Sequence, residues 1–241
     1  RGETATTTDA LNKNTTQLYD SNGNRLSLTN RRGKNYTFAC DNANRPTSTT
    51  TPTGKVTLMT YWNNSLAKTI TEPSLQTTTL AYNAKNLVST KTDPTGTITY
   101  GYDNSGLLTT VTEGTAVITR TYDERGRLKT YTNADGDLLQ YQYDANNNLT
   151  RITYPPDASH PAGKQVHYTY NARNLLETLT DWNNRVTTYQ YDRLGRLTGI
   201  TRPNGTAASL ERDSADQLTS IRETSGGKLI SYLAFQYDPA S

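Results

Sequence analysis

The stretch that decides the fold is residues 122–132, Tyr-Asp-Glu-Arg-Gly-Arg-Leu-Lys-Thr-Tyr-Thr, because close copies of it recur along most of the chain. Residues 191–201 read Tyr-Asp-Arg-Leu-Gly-Arg-Leu-Thr-Gly-Ile-Thr, and residues 143–153 read Tyr-Asp-Ala-Asn-Asn-Asn-Leu-Thr-Arg-Ile-Thr. Similarity at a fixed period of 20 to 50 residues is typical of repeat architectures. The period therefore governs how the rest of the sequence is interpreted.

An aromatic residue, usually tyrosine, marks the start of each repeat, and most steps are 20 or 21 residues long. The marked positions are Tyr19, Tyr61, Tyr82, Tyr102, Tyr122, Tyr143, Tyr170, Tyr191 and Tyr237. Cys40 and Arg212 occupy the same register without an aromatic ring. We predict one repeat array over residues 1–241, with ten repeats starting near residues 19, 40, 61, 82, 102, 122, 143, 170, 191 and 212. The longest step, 27 residues, predicts a loop insertion at residues 155–164.

Each repeat has the pattern of a β-hairpin. Asp123 with Gly126, like Asp192 with Gly195, has turn chemistry, because Asp bonds the backbone ahead and Gly tolerates positive φ. A second turn follows about ten residues later, for example at Pro203-Asn-Gly205, and an alternating run such as Leu139-x-Tyr141-x-Tyr143 ends the unit. Strict alternation predicts a strand with one apolar face.

One detail conflicts with a straight strand. Leu128 and Tyr131 are three residues apart, as are Leu149 and Ile152, so a regular strand would place them on opposite faces. We therefore expect the leucine to lie at the turn exit, or a β-bulge to correct the parity.

The composition excludes several classes of protein. Apolar residues are 32% of the chain, the net charge is +3, and 45 of the 241 residues are threonine. These values argue against a helical bundle, a coiled coil, a membrane protein or an enzyme with a large core. They leave an all-β protein or a disordered chain, and the repeat favours the all-β protein. No apolar run is long enough to span a membrane, and the mild charge predicts no nucleic-acid partner.

Few residues suggest catalysis. Asp157, Ser159 and His160 carry the groups of a catalytic triad, but they are sequence neighbours in one proline-rich loop. Cys40 could act as a nucleophile, but its register position favours an inert, half-buried thiol. We predict no enzymatic activity and no cofactor.

Two binding interpretations remain beside a structural one. An aspartate recurs at the second repeat position and could suggest calcium, although one carboxylate per repeat favours turn capping. These residues are Asp20, Asp41, Asp103, Asp123, Asp144, Asp192 and Asp213. Tyrosine beside Arg and Asn could bind carbohydrate, although cross-strand tyrosine packing is the favoured role. We predict no metal site and leave carbohydrate binding open.

The motif Tyr-Asp-x-x-Gly-Arg-Leu, its period near 21 residues and the Tyr-x-Tyr before the Asp resemble the YD repeats of the bacterial Rhs family. The resemblance covers about residues 19–241 and extends to Tc toxin subunits, wall-associated bacterial toxins and teneurins. It implies a spiralling antiparallel β-strip that forms part of a hollow shell around a C-terminal toxin. It also implies a polymorphic toxin that is secreted or displayed on a bacterial surface. Such toxins are often delivered by a type VI secretion system. The expected partners are the rest of the shell, the toxin and the secretion machinery.

The chain departs from that family in two respects. We see no N-terminal delivery domain, and Asp238-Pro239 continues as Ala240-Ser241 rather than as the family's Asp-Pro-x-Gly-Leu release motif. Asp93-Pro-Thr-Gly96 looks similar but has the position of a repeat's second turn. Because the chain starts at Arg1 and its one methionine is Met59, we expect a processed chain or an excised segment.

The length of the strip bounds what this chain can enclose. Twenty strands would form a ribbon about 95 Å long, which is too short to close around a folded domain of ordinary size. We therefore expect a segment of a larger shell whose open edges can associate with another copy. The alternative is an adhesion or carbohydrate-binding surface.

Overall fold

The structure is a computed structural model that describes residues 3–238, and every element of regular secondary structure in that range is a β-strand. The predicted all-β fold of antiparallel hairpins is confirmed. The prediction about Pro239, Ala240 and Ser241 lies outside the described residues. No helix in the described range is long and apolar enough to cross a membrane.

The chain forms two compact units, residues 1–118 and 119–241. In the first unit each strand pairs antiparallel with the next strand in the sequence. Its strands are β1 (Thr4–Thr8), β2 (Asn14–Tyr19), β3 (Arg25–Thr29), β4 (Asn35–Cys40), β5 (Pro46–Thr50), β6 (Val56–Tyr61), β7 (Ala67–Thr71), β8 (Thr77–Tyr82), β9 (Val88–Asp93), β10 (Gly96–Tyr102) and β11 (Leu108–Glu113).

The second unit has the same design and begins within β12 (Ala116–Tyr122). Its neighbours in sequence are again neighbours in the sheet. The strands that follow are β13 (Leu128–Thr132), β14 (Leu138–Tyr143), β15 (Leu149–Thr153), β16 (Gln165–Tyr170), β17 (Leu176–Thr180), β18 (Val186–Tyr191), β19 (Leu197–Thr201), β20 (Thr206–Arg212), β21 (Leu218–Ser225) and β22 (Lys228–Ala234). Between β15 and β16, the amide of Tyr154 donates to the carbonyl of Lys164 at 2.8 Å and closes the loop where the insertion is predicted.

One five-residue turn recurs in both units, beside tighter turns such as Asp93–Gly96 and Ser225–Lys228. At Asp123–Arg127 the Asp123 amide donates to the Arg127 carbonyl, and the Gly126 amide donates back to the Asp123 carbonyl, both at 2.9 Å. Gly126 has a φ of 76°, which glycine adopts without steric cost. The turn at Asn133–Asp137, on the other edge of the strip, has the same two bonds at 3.1 Å. Where both turns of a repeat have these two bonds, they share one backbone geometry although they differ in sequence.

A β-bulge follows each of these turns on the tyrosine side of the repeat. Tyr122 pairs with Leu128 while Thr121 pairs with Thr130, so Lys129 is an extra residue without a partner in the ladder. The extra residue brings Leu128 and Tyr131 to the same face. The predicted correction of parity is confirmed, and it recurs where Tyr143 pairs with Leu149.

The two faces of the strip differ in chemistry. The tyrosine face carries the alternating apolar positions, such as Leu139, Tyr141 and Tyr143 in β14. The threonine face carries residues such as Thr121 and Thr130, whose hydroxyls lie 2.6 Å apart. Burial is shallow on both faces, since the buried hydrophobic side chains of residues 3–238 are Val166 and Ala208, each 6% exposed. The low apolar content thus belongs to a sheet one layer thick.

Replacing Gly195 with alanine should destabilise the chain by about 1 kcal/mol, because φ is 83° there and a β-carbon strains that conformation. Gly195→Asn should cost clearly less, since asparagine already holds the equivalent turn position at Asn147 and Asn174 with φ of 71° and 60°. The urea midpoint of unfolding, followed by circular dichroism, measures both variants. Equal losses for alanine and asparagine would contradict this account of the turn.

Candidate functional site

The residues that define the repeat meet along one edge of the strip, which we call the YD edge. It consists of the turns that directly follow the register positions. In the first unit these turns start at Asp20, Asp41, Trp62, Asn83 and Asp103. In the second unit they start at Asp123, Asp144, Asn171, Asp192 and Asp213. Within each unit, successive turns on this edge are about 20 residues apart in sequence but are neighbours in space.

The aspartate at the start of a turn caps that turn. The Asp123 carboxylate accepts hydrogen bonds from the amides of Arg125 at 2.9 Å and Arg127 at 3.0 Å. Asn171 makes the same two contacts with Arg173 and Leu175. Aspartate and asparagine are therefore interchangeable as acceptors in this position.

The arginine of Gly-Arg-Leu connects one repeat to the next. The Arg127 guanidinium pairs with Asp123 at 2.7 Å, lies 4.6 Å above the centre of the Tyr143 ring and donates to the Asp144 carbonyl at 3.0 Å. Each contact uses a different property of the group: charge, a planar face and a free N–H. A single side chain thereby holds its own turn, the next tyrosine and the next turn.

Arg45 repeats this arrangement in the first unit. It pairs with Asp41 at 2.6 Å, lies 4.7 Å from the centre of the Tyr61 ring and donates to the Trp62 carbonyl at 3.0 Å. We did not predict these arginines as site residues. The signal was present in the repeated Gly-Arg-Leu, but its meaning depends on which turns are neighbours in space.

The register tyrosines bond backward to the preceding repeat. The Tyr143 hydroxyl donates to the Leu128 carbonyl at 3.0 Å. The ladder between β13 and β14 ends at the pair Thr130–Gln140, so the Leu128 carbonyl lies beyond its last bond. The hydroxyl thus satisfies a backbone acceptor next to the bulge. Equivalent bonds join Tyr61 to Pro46, Tyr102 to Val88, Tyr170 to Leu149 and Tyr237 to Leu218.

The other predicted register residues occupy the same strand position with different contacts. Tyr19 donates to the Gln17 side chain at 2.9 Å. Tyr82, Tyr122 and Tyr191 end their strands opposite Val88, Leu128 and Leu197.

Further side chains link successive turns along the YD edge. They are side-chain amides and arginines that donate to backbone or side-chain oxygens of the next turn. The links include Asn24 to Asn44 at 2.7 Å, Arg125 to the Ala145 carbonyl at 2.7 Å, Asn146 to Asn174 at 3.1 Å, Arg173 to the Arg193 carbonyl at 2.8 Å and Arg196 to Asp216 at 2.8 Å. We call this set of bonds the turn ladder.

Bonds within several of the capped turns lower the pKa of the capping aspartate. The pKa of Asp41 lies below the usual value because the Arg45 side chain and the Arg45 amide bond the carboxylate. The pKa of Asp144 is lowered chiefly by the hydrogen bond from the Asn148 side chain. Burial acts in the opposite direction on the tyrosines and raises the pKa of Tyr143 and Tyr170.

The residues with catalytic or metal-binding potential have structural contacts instead. Asp157 accepts from the His160 ring at 3.1 Å and pairs with Lys164 at 2.6 Å, while Ser159 meets it through its backbone amide. Among residues 3–238, the Ser159 hydroxyl has no hydrogen-bond partner, so the groups of a triad are not aligned. Cys40 ends β4 opposite Pro46. Within the same range no three His, Cys, Asp or Glu side chains cluster as a metal site.

Two models of known protein families match residues that build this edge. A family model described as Teneurin YD-shell matches residues 53–161, and one described as RHS Repeat matches residues 19–56 and 179–207. The resemblance to the Rhs/YD-repeat family is confirmed. The repeat register, the capped turns and the turn ladder thus lie in a chain that is similar to YD-repeat proteins.

Solved structures share the fold of these YD repeats at low sequence identity. The crystal structure of TcdB2-TccC3-TEV superposes with a TM-score of 0.76 at 17% identity, over 98% of this chain and 15% of that one. TcdB2-TccC3 without its hypervariable C-terminal region gives 0.75 at 17% identity, over the same shares. The Photorhabdus luminescens Tc holotoxin pore gives 0.56 at 14% identity, over 96% of this chain and 18% of that one. Among curated proteins the search found no match.

Removing one hydroxyl should separate the hydrogen bond of a register tyrosine from the packing of its ring. Tyr143→Phe should destabilise the chain by about 1 kcal/mol, because it leaves the Leu128 carbonyl without its donor. Tyr141→Phe, on the same strand and face, is the matched control, since within the described chain the Tyr141 hydroxyl has no hydrogen-bond partner. Urea unfolding measures both. A loss at Tyr141 equal to that at Tyr143 would contradict the assigned role of the hydroxyl.

Acid should weaken the capped turns. The carboxyl groups of Asp20 and Asp144 have lowered pKa values, so the stability they contribute is present above the ordinary pKa of 3.8 and is lost as the pH falls through the folded values. In the double variant Asp20→Asn, Asp144→Asn the amides keep the caps but do not titrate, so the midpoint of acid unfolding should move to lower pH.

Far-UV circular dichroism between pH 5 and pH 2 follows this transition. The control is the double variant Glu113→Gln, Glu124→Gln, which changes the charge equally at exposed positions. If both double variants shift the midpoint alike, net charge rather than the caps governs acid unfolding.

Proposed function

We propose that this chain forms part of the wall of a larger β-shell that encloses a C-terminal toxin domain. The observation that carries the proposal is the match of 98% of the chain to only 15% of a much longer YD-repeat structure. A strip of this length has too little circumference to close around a folded domain, so further repeats would have to complete the wall.

The last strand supports a strip that continues. In β22 the side chains of Leu229, Ile230 and Leu233 are 56%, 57% and 52% exposed. An unpaired edge with apolar side chains is a template for another strand. In the complete protein we expect the next repeat to cover it, and in isolation a second copy of the chain can pair there.

A wall acts physically rather than chemically. The backbone of the strip is paired strand to strand, and the turn ladder ties the turns at the YD edge, so neither a protease nor an enclosed domain can pass easily. Secretion from a bacterium, delivery through a type VI system as part of a polymorphic toxin, and contact with secretion machinery belong to the same proposal. They rest on the family resemblance alone.

Labelling of the two faces tests the proposal in the complete protein that contains this chain. In a Cys40→Ser background, Gln140→Cys reports on the threonine face and Thr187→Cys on the tyrosine face. A closed wall should shield one reporter from a bulky maleimide, so that it reacts far more slowly in the complete protein than in the isolated chain. The other reporter should react at the same rate in both.

The isolated chain supplies the reference rate for each position and so corrects for their different exposure. Equal accessibility of both faces in the complete protein would overturn the shell and favour an open strip.

A further inference from the structure

One turn on the YD edge departs from the repeat at four positions. Residues 61–67 read Tyr-Trp-Asn-Asn-Ser-Leu-Ala, so Trp62, Ser65, Leu66 and Ala67 replace the Asp, Gly, Arg and Leu of the repeat. The turn closes as the others do, with the Trp62 amide donating to the Leu66 carbonyl at 2.8 Å. The departures therefore change the side chains without changing the backbone.

An open cavity of about 650 Å³ lies between this turn and the next one on the YD edge. In a step that has the arginine, the guanidinium lies over the next register tyrosine, as Arg127 does over the Tyr143 ring. Here Leu66 holds the arginine position and sends no guanidinium across the Tyr82 ring. Trp62, Asn63, Lys68, Tyr82, Asn83 and Asn86 are among the side chains that line the cavity. Its volume is in the range of small-molecule sites.

Trp62 presents a fixed aromatic surface to this cavity. Its indole N–H donates to the Leu80 carbonyl at 3.1 Å, which anchors one edge of the ring to β8. The residue is nevertheless 40% exposed. The Lys68 ammonium lies 4.7 Å from the ring centre. Lys68 therefore covers part of one face, and the exposed remainder of the ring is available to a ligand.

Polar groups without partners surround the ring. Within residues 3–238, the side-chain amide of Asn63 and the Tyr82 hydroxyl have no hydrogen-bond partner. An amide offers both donors and an acceptor, and a phenol offers one of each. Lys68 is the charged side chain among the described lining residues, and no carboxylate lines the cavity to oppose an anion.

We propose that the Trp62 cavity binds the sugar ring of a glycan, with preference for a sugar that carries a carboxylate. The C–H face of a pyranose packs on the indole, its hydroxyls exchange hydrogen bonds with Asn63 and Tyr82, and Lys68 pairs with the carboxylate. The proposal concerns this turn alone and does not depend on whether the strip is part of a closed shell.

Tryptophan fluorescence tests it directly. The chain has two tryptophans, so Trp182→Phe leaves Trp62 as the sole reporter. Titration with sialyllactose should give a saturable change with a dissociation constant of roughly 1 mM or lower. Lactose, which lacks the acidic sugar, should bind about tenfold more weakly. No saturable change with sialyllactose would overturn the proposal.

Two variants, measured by calorimetry, assign the binding to its residues. Trp62→Asp restores the repeat's own cap, so it should fold like its neighbours and lose binding. Lys68→Gln should weaken sialyllactose about tenfold and leave lactose unchanged. Binding that survives Trp62→Asp would place the ligand elsewhere and overturn the site, and equal effects of Lys68→Gln on both sugars would overturn the acidic preference.

Discussion

The structure depends on contacts that join one hairpin to the next, because a sheet one layer thick cannot rely on a deep core. A lone hairpin is marginal in water, so each repeat needs its neighbours. Arg127 and Tyr143 make this connection in opposite directions along the chain. The arginine reaches forward to the Asp144 carbonyl, and the tyrosine reaches back to the Leu128 carbonyl. Each turn is thereby fixed by both of its neighbours.

These contacts give each recurring residue of the repeat motif a distinct physical role within this chain. Aspartate caps the turn, glycine supplies positive φ, and arginine joins two turns. Leucine lies between the turn and the extra residue of the bulge, and tyrosine satisfies the carbonyl that the bulge leaves outside the ladder. The bulge is the central element, because it creates the free acceptor at Leu128 and aligns Leu128 with Tyr131. A regular strand would provide neither.

Much of the fold could be predicted because its determinants are local. The alternation in Leu139-x-Tyr141-x-Tyr143 and the spacing of Asp123 and Gly126 each specify structure within a few residues. The sequence did not predict that many second turns have the same backbone as the first turns. Thr51–Lys55 and Glu72–Gln76, for example, have the same backbone bonds without an aspartate or asparagine. Even Leu75 adopts a φ of 65° at the glycine position. There the pairing of the flanking strands imposes the geometry on an unfavourable residue.

The candidate site required the structure, because its contacts join residues about 20 apart whose proximity depends on the order of strands. A repeat motif identifies positions that must stay the same for the strip to form, and those positions carry no information about a ligand. The informative positions are the departures from it. Trp62 replaces the capping aspartate and Leu66 replaces the connecting arginine, yet the turn keeps its backbone bonds. The strip forms although this arginine connection is missing. The side chains of that turn can therefore offer an aromatic surface and unpaired amides to a ligand, whereas the corresponding groups of other repeats bond to neighbouring turns.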